Sequence, residues 1–162
     1  MSTAEPATLA ESHTEMTEIV LPNDTNTYGR VLGGAVLHWM DVCGAIAAMR
    51  FASEDVVTAS MEHVDFKTPI DLGEVVVVEA YVYGTGRTSV EVNVDVRAEN
   101  PQEDTERDTT SSFFTFVAVD EDGNPTPVPD LECPTETERR LRDRALDDRA
   151  AELERLVERM ES

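Results

Sequence analysis

The amino-acid sequence predicts an α+β domain in which a curled antiparallel sheet wraps around one long helix. Three observations carry that prediction. Residues Gly34 to Met49 form the most apolar stretch of the chain, hydrophobic on every side, which is the pattern of a helix buried over most of its circumference. One short strand precedes it and four strand-like segments follow at hairpin spacing. Hairpin-linked strands pair antiparallel, and such a sheet holds a helix of this length only by curling around it.

The elements follow in order. Residues 1–15 read as a flexible tail. Met16 to Leu21 form a short strand, ended by the turn chemistry of Pro22-Asn23-Asp24-Thr25-Asn26. Gly33-Gly34 lead into the apolar helix, which fades near Phe51. A strand from Val56 to Phe66 is stopped by Pro69, and a valine-rich strand, Val75 to Tyr83, carries Glu79 inside it. Gly84-Thr85-Gly86 turn the chain into Thr88 to Ala98, where Val90, Val92, Val94 and Val96 alternate with Glu91, Asn93, Asp95 and Arg97. That alternation predicts one buried and one wet face. Asn100 to Asp108 read as an acidic loop before the aromatic strand Ser112 to Val119. The domain thus spans 16–125, a Pro-rich connector follows at 126–134, and 135–162 is a charged helix opened by a capping box of Thr135 and Glu138. Leu141, Ala145, Leu153, Leu156 and Met160 give that helix an interrupted apolar stripe, suited to docking on the domain or on a neighbouring subunit.

Composition bounds the partners. Formal net charge is −21, from 34 acidic against 13 basic residues, and Lys67 is the sole lysine. The carboxylates alternate with hydrophobic positions, so this is an acidic skin on a folded protein rather than a disordered chain. Lysine depletion under such a skin points to a salt-rich cytoplasm, where charges are screened within about 3 Å at 1 M. A surface of this sign binds neither nucleic acid nor anionic membrane non-specifically. The start of the chain is polar, and the apolar helix is too short and interrupted for a membrane span, so a cytoplasmic location is expected. Cys43 and Cys133 give no disulfide framework, and His13, His38 and His63 give no ligand spacing with carboxylates on one element, so no metal is implied.

Asp41 stands in the middle of the apolar helix. A carboxylate buried there is costly unless it is paired or used. At helical spacing Leu37, His38, Gly44, Ala45 and Ala48 share its face, mostly small, while Val36, Trp39, Cys43 and Ile46 lie opposite and suit packing on a sheet. Asp41 is either satisfied by a nearby hydroxyl, amide or His38, or it is a catalytic group beside a space for substrate. Cys43 points away from it and has no cationic neighbour, which argues against a cysteine nucleophile.

The run Leu21-Pro22-Asn23-Asp24-Thr25-Asn26-Thr27-Tyr28-Gly29-Arg30-Val31-Leu32-Gly33-Gly34, followed by Met40-Asp41, resembles the opening of hotdog-fold acyl-CoA thioesterases of the brain acyl-CoA hydrolase type and their single-domain bacterial relatives. The resemblance continues through Val57-Thr58-Ala59-Ser60, Arg87-Thr88-Ser89, Phe113-Phe114-Thr115-Phe116-Val117 and Pro127 to Pro129, covering roughly residues 17–145. The acidic surface departs from most members but touches none of these positions.

The resemblance implies a homo-oligomer whose catalytic unit is a dimer, commonly a trimer of dimers, with Asn26 of one subunit and Asp41 of the other forming the catalytic pair. Thioester hydrolysis needs an activated water or a nucleophile, together with donors for the developing oxyanion. Asp41 suits the first task as general base or as nucleophile. Backbone N–H groups at Gly33 and Gly34, at a helix start, suit the second. No cofactor beyond water is needed, coenzyme A being part of the substrate. Its phosphates call for a local basic or amide-rich surface, for which Arg87 with Gly84, Gly86, Thr88 and Ser89 is the first candidate and Lys67 the next. Thr58 and Ser60, two apart on one strand face, are candidates to line the acyl or pantetheine channel. Two other classes remain: an acyl-CoA-binding regulatory module, whose mark would be loss of the helix acid, and a hotdog dehydratase or hydratase, which needs a positioned histidine.

Overall fold

The computed structural model describes residues 5–162. A five-stranded antiparallel sheet holds β2 (Thr14–Ile19), β3 (Asp55–Met61), β4 (Val75–Thr85), β5 (Ser89–Asn100) and β6 (Thr105–Val119), in the order β2-β4-β5-β6-β3. The 20-residue helix α2 (Gly33–Ala52) lies against its inner face. The inward residues alternate as period-two strands require: Val76, Val78, Ala80 and Val82 from β4, Val90, Val92, Val94 and Val96 from β5, and Phe114, Phe116 and Ala118 from β6. All are buried against Val36, Met40, Cys43, Ala47 and Phe51 of the helix.

Close approach of helix and sheet depends on Gly44. A Cβ there would stand 3.1 Å from the Phe116 ring and 3.4 Å from Val94 Cγ2. Gly44 and Ala48 therefore face the sheet, and the small-residue face expected to be open beside Asp41 is instead rotated into the core. At about 100° per residue, the buried arc runs from Trp39 through Val36 and Met40 to Ala48, and Asp41 sits at its edge. Asp41 is half-buried rather than enclosed, and Ile46 is half-exposed. By length and composition α2 could cross a membrane, contrary to its reading as too short; what occupies its apolar surface is the core of this domain.

The outer face of the sheet, expected to be wet, is covered in part: Asn93 is buried while Glu91, Asp95 and Arg97 stay half-exposed. Helix α3 (Glu136–Glu161) crosses it, and a second apolar cluster of Leu9, Tyr81, Tyr83, Phe113 and Ala145 forms beneath, with Asn93 almost fully buried. The α3 start is as the sequence indicates: Glu138 N–H donates to Thr135 Oγ1 at 3.2 Å and the Glu138 carboxylate reaches back to Thr135 N–H at 3.4 Å. The other Glu138 oxygen accepts from Ala10 N–H at 3.2 Å.

Ala10 belongs to a stretch expected to be a flexible tail. From Ala7 onward that expectation fails, because Leu9 is wholly buried and hydroxyl bonds fix the segment. Strand β1 (Ala7–Thr8) pairs in parallel with β7 (Leu131–Glu132), Thr8 caps the single turn α1 (Leu9–Ser12), and Ser12 Oγ accepts from Val82 N–H at 2.9 Å. The reading of residues 1–4 lies outside the described residues. The supposed acidic loop at 100–108 is likewise mostly strand. Arg97 makes Glu79, Glu99 and Glu106 tolerable as neighbours, at 3.5, 3.7 and 3.7 Å, so the ladder continues and only residues 101–104 turn.

Candidate functional site

Asp41 meets Thr58 across the helix–sheet boundary. Thr58 Oγ1 donates to Asp41 Oδ1 at 2.7 Å. The bond exists because Thr58 opposes Phe116, a core residue, and so points to the helix side of the sheet. Ser60 does not share that face. A bulge between Thr58 and Ser60 shifts the register, placing Ser60 opposite Thr115, and one extra residue turns the next side chain to the other side of the pleat. The pairing of Thr58 with Ser60 as one channel wall is therefore corrected, and Thr58 emerges as the partner of Asp41.

The β4–β5 hairpin lies at the same end of the sheet. Phe116, opposite Thr58, also opposes Val90, so the strand carrying the turn is two strand spacings, about 10 Å, from Thr58. Within the turn, Gly86 N–H donates to Ser89 O at 3.0 Å, and a Cβ at Gly86 would stand 2.5 Å from Ser89 Oγ. Gly84 leaves space that the Glu91 carboxylate occupies. The backbone of the turn is tied down by Ala118 N–H donating to Thr88 O and Val128 N–H donating to Arg87 O, while the Arg87 side chain is exposed.

Asn26, Gly33 and Gly34 form a second group at the other end of the helix. Asn26 Oδ1 accepts from Tyr28 N–H at 2.9 Å and Arg30 N–H at 3.2 Å, which fixes the loop and leaves the amide Nδ2 as the outward donor. Leu32, at the helix N-cap, offers no side-chain bond to the first N–H groups, and open space surrounds Gly34. Asp41 is eight residues beyond Gly33 and seven beyond Gly34, about 11–12 Å at the helical rise. Within one chain the helix-start glycines and Asp41 are therefore set apart along α2.

Lys67 stands apart from both. Its N–H donates to Thr109 O, seven residues along β6 from Phe116, so about 24 Å of strand separates it from the Thr58 row. It lines instead a charged cavity of about 440 Å³ between α3 and the outer sheet face, with Asp95, Arg97, Arg144 and Glu152. In that region His63, Asp65 and Glu152 bring one ligand atom each within 4.8 Å of one another, a grouping across two elements that spacing on one element does not reveal. Each is already engaged: His63 with Asp65 at 2.8 Å, Asp65 with Arg159 at 3.5 Å, and Glu152 with Arg155 at 2.7 Å.

The cysteine nucleophile is disfavoured on independent grounds. Burial pushes the Cys43 thiol up to about 12, and its sulfur lies 3.7 and 3.5 Å from the carbonyl oxygens of Thr14 and Val78. His38 is exposed, and Asp41 is held by Thr58 rather than by it.

A family model for the thioesterase superfamily matches residues 28–105. A Bacillus subtilis protein named as an uncharacterized acyl-CoA thioester hydrolase is 38% identical over 146 residues, covering 90% of this chain and 85% of its own length. The chain belongs to the thioesterase superfamily. Among solved superfamily structures, a hexameric acyl-CoA thioesterase in its apo form superposes with a TM-score of 0.83 at 42% identity, covering 94% of this chain and 98% of the other. An acyl-CoA hydrolase from Staphylococcus aureus, in complex with butyryl coenzyme A, coenzyme A and its disulfide, gives 0.78 at 30% identity, with 96% and 98% covered. Alanine variants of that enzyme replace an Asn, an Asp 15 residues later and a Thr 17 beyond the Asp. Asn26, Asp41 and Thr58 have the same separations in this superfamily member. Against the rat cytosolic acyl coenzyme A thioester hydrolase, 32% identical over 138 residues, the chain spans 36% of the relative's length.

Proposed function

We propose that this protein hydrolyses acyl-CoA thioesters to a free carboxylic acid and coenzyme A, at sites each built from two copies of the chain. The observation that carries the reading is the 2.7 Å bond from Thr58 to Asp41, a carboxylate held in place at the rim of the core. One copy supplies Asp41, Thr58 and the Arg87 hairpin. The other supplies Asn26 and the unsatisfied N–H groups at Gly33 and Gly34.

The chemistry divides accordingly. The Gly34 N–H, at the positive end of the helix dipole, and Asn26 Nδ2 donate to the thioester carbonyl oxygen and stabilise the oxyanion that develops there. Thr58 occupies Asp41 Oδ1, leaving Oδ2 for the reacting water. Asp41 takes a proton from that water as it attacks the carbonyl carbon; the C–S bond breaks, and the coenzyme A thiolate is protonated as it leaves. Direct attack by Asp41, through an anhydride that water then opens, uses the same geometry. Arg87, with the Thr88 and Ser89 hydroxyls, faces the coenzyme A phosphates.

Shared sites require an assembly. In support, β3 is an edge strand with its outer side unpaired, and its Val57 and Met61 are 51% and 43% exposed; long exposed apolar edges are unusual unless another chain covers them. The hexameric structural relative supports a hexamer for this chain, which two-copy sites would divide into three dimers. The cytosolic name of the mammalian relatives supports a cytoplasmic location. The regulatory-module reading is not favoured, because the helix acid is retained and positioned.

Complementation tests the shared site. Asn26→Ala and Asp41→Ala proteins are each expected to be nearly inactive in an acyl-CoA thiol-release assay. Unfolded together and refolded, random pairing makes about half the dimers mixed, each with one intact site, so activity returns to roughly a quarter of wild type. No recovery despite demonstrated mixed dimers refutes the two-copy site.

A further inference from the structure

The apolar residues of α3 fall into two stripes, and only one is used by this domain. Leu141, Ala145 and Leu156 turn toward the sheet, together with Arg149, which donates to Glu62 at 2.8 Å, and Arg159, which reaches Asp65. Leu146, Ala150, Leu153, Val157 and Met160 form a second stripe about 100° around the helix, given 100° of turn per residue. Leu146, Leu153, Val157 and Met160 are 42%, 42%, 52% and 86% exposed, and Ala150 is exposed as well. Their spacing alternates four and three, the heptad spacing of a coiled-coil seam, with Leu146, Leu153 and Met160 at d and Ala150 and Val157 at a.

The flanks of this stripe differ in sign. On the side nearer the sheet stand the g positions Arg142, Arg149 and Leu156; on the other stand the e positions Asp147, Glu154 and Glu161. Each g residue of one helix meets the e residue five positions later on a parallel partner. Arg142 then faces Asp147 of the second copy, while Arg149, at the next g position, is held by Glu62 of its own chain. An antiparallel partner would bring e against e, setting carboxylates against carboxylates in a chain whose formal net charge is already −21. Val157 at a with Leu146 and Leu153 at d favours two strands over three.

We propose that the outer stripe of α3 is an interface for the α3 helix of a second copy of this chain, packed parallel and in register about a two-fold axis along the helices. The seam covers little more than two heptads, too short to hold alone, so it acts as an added contact within an assembly and not as an independent zipper. It is distinct from the β3 edge and from the proposed catalytic half-sites, and it does not depend on what the protein hydrolyses.

Disulfide trapping in the full-length protein tests it, in a Cys133→Ser background that leaves buried Cys43 as the other thiol. Leu146→Cys and Met160→Cys, each alone, are expected to form same-position disulfides between copies on mild oxidation. Linkage that forms only when the two variants are mixed and refolded together would mean an antiparallel contact and overturn the parallel assignment; no linkage between copies overturns the interface. As a second measurement, Leu153→Glu with Val157→Glu is expected to make the assembly dissociate at a higher protein concentration on dilution, while leaving the circular dichroism and, in the intact assembly, the thiol-release rate per chain within twofold. An unchanged dissociation concentration with both charges in place overturns the proposal. Loss of hydrolysis with trapping intact would count against the proposed activity alone.

Discussion

Replacing Thr58 by Val removes one hydroxyl and leaves the strand intact, since both residues are β-branched and suit a pleated edge. The lost contact is the 2.7 Å bond to Asp41 Oδ1. Hydrogen bonds to charged groups contribute about 1.5–3 kcal/mol, and each 1.4 kcal/mol of transition-state stabilisation is tenfold in rate. If that bond aims Asp41 at the reacting water, kcat falls roughly 10- to 150-fold, with KM little changed because Thr58 makes no uniform contact with substrate in this scheme. The decisive assay is a double-mutant cycle of thiol release with Thr58→Val, Asp41→Asn and both together. Thr58 acts through Asp41, so the double variant is expected to be no slower than Asp41→Asn alone. Full additivity, or a Thr58→Val rate within twofold of wild type, refutes the positioning role.

Two further outcomes follow from charge. The carboxylates oppose both subunit association and a polyanionic substrate over a Debye length of about 30 Å at 0.01 M salt but only about 3 Å at 1 M. Activity and assembly are therefore expected to rise together into molar KCl, with KM falling even where sedimentation reports an intact oligomer; full activity in dilute buffer refutes salt adaptation. Asp95 lies under α3, where burial raises its pKa against the opposing Asn93 hydrogen bond and the Arg144 charge, with Glu79 and Asp148 adding to the rise. Below its ordinary value of 3.8, both folded and unfolded states are protonated and no penalty exists; as pH rises through the folded pKa, ionisation costs stability. Asp95→Asn is thus expected to raise the urea midpoint at pH 7 and to give little gain at about pH 3.5; equal gains at both pH values refute the cause.

The alternation of valines in β5 and the uninterrupted hydrophobicity of α2 made the inner half of the fold legible, because both record burial directly in residue type. The outer half was less so. Glu91, Asn93, Asp95 and Arg97 look solvated, yet α3 covers part of this face, and no local pattern on β5 announces a helix that begins 36 residues after the strand ends. Asp41 was identifiable as an isolated acid among apolar neighbours, but its partner was not. A bulge turns Ser60 away from the face that Thr58 keeps, and bulges leave little trace in a run such as Thr58-Ala59-Ser60. The acidic residues of 105–108 read as loop because like charges disfavour strands; Arg97 reverses that from another strand.

The parallel ribbon of β1 and β7 joins Ala7 to Leu131, and the Ala10–Glu138 bond closes a loop of 128 residues. Residues 7–10 are made well before residues 131–138, with which they dock. Leu9 is fully buried only where β4, β6 and α3 meet, since its neighbours Tyr81, Tyr83, Phe113 and Ala145 come from those three elements. Residues 7–10 are thereby clasped to residues 131–138, and a chain cut short before Glu138 lacks one half of that clasp.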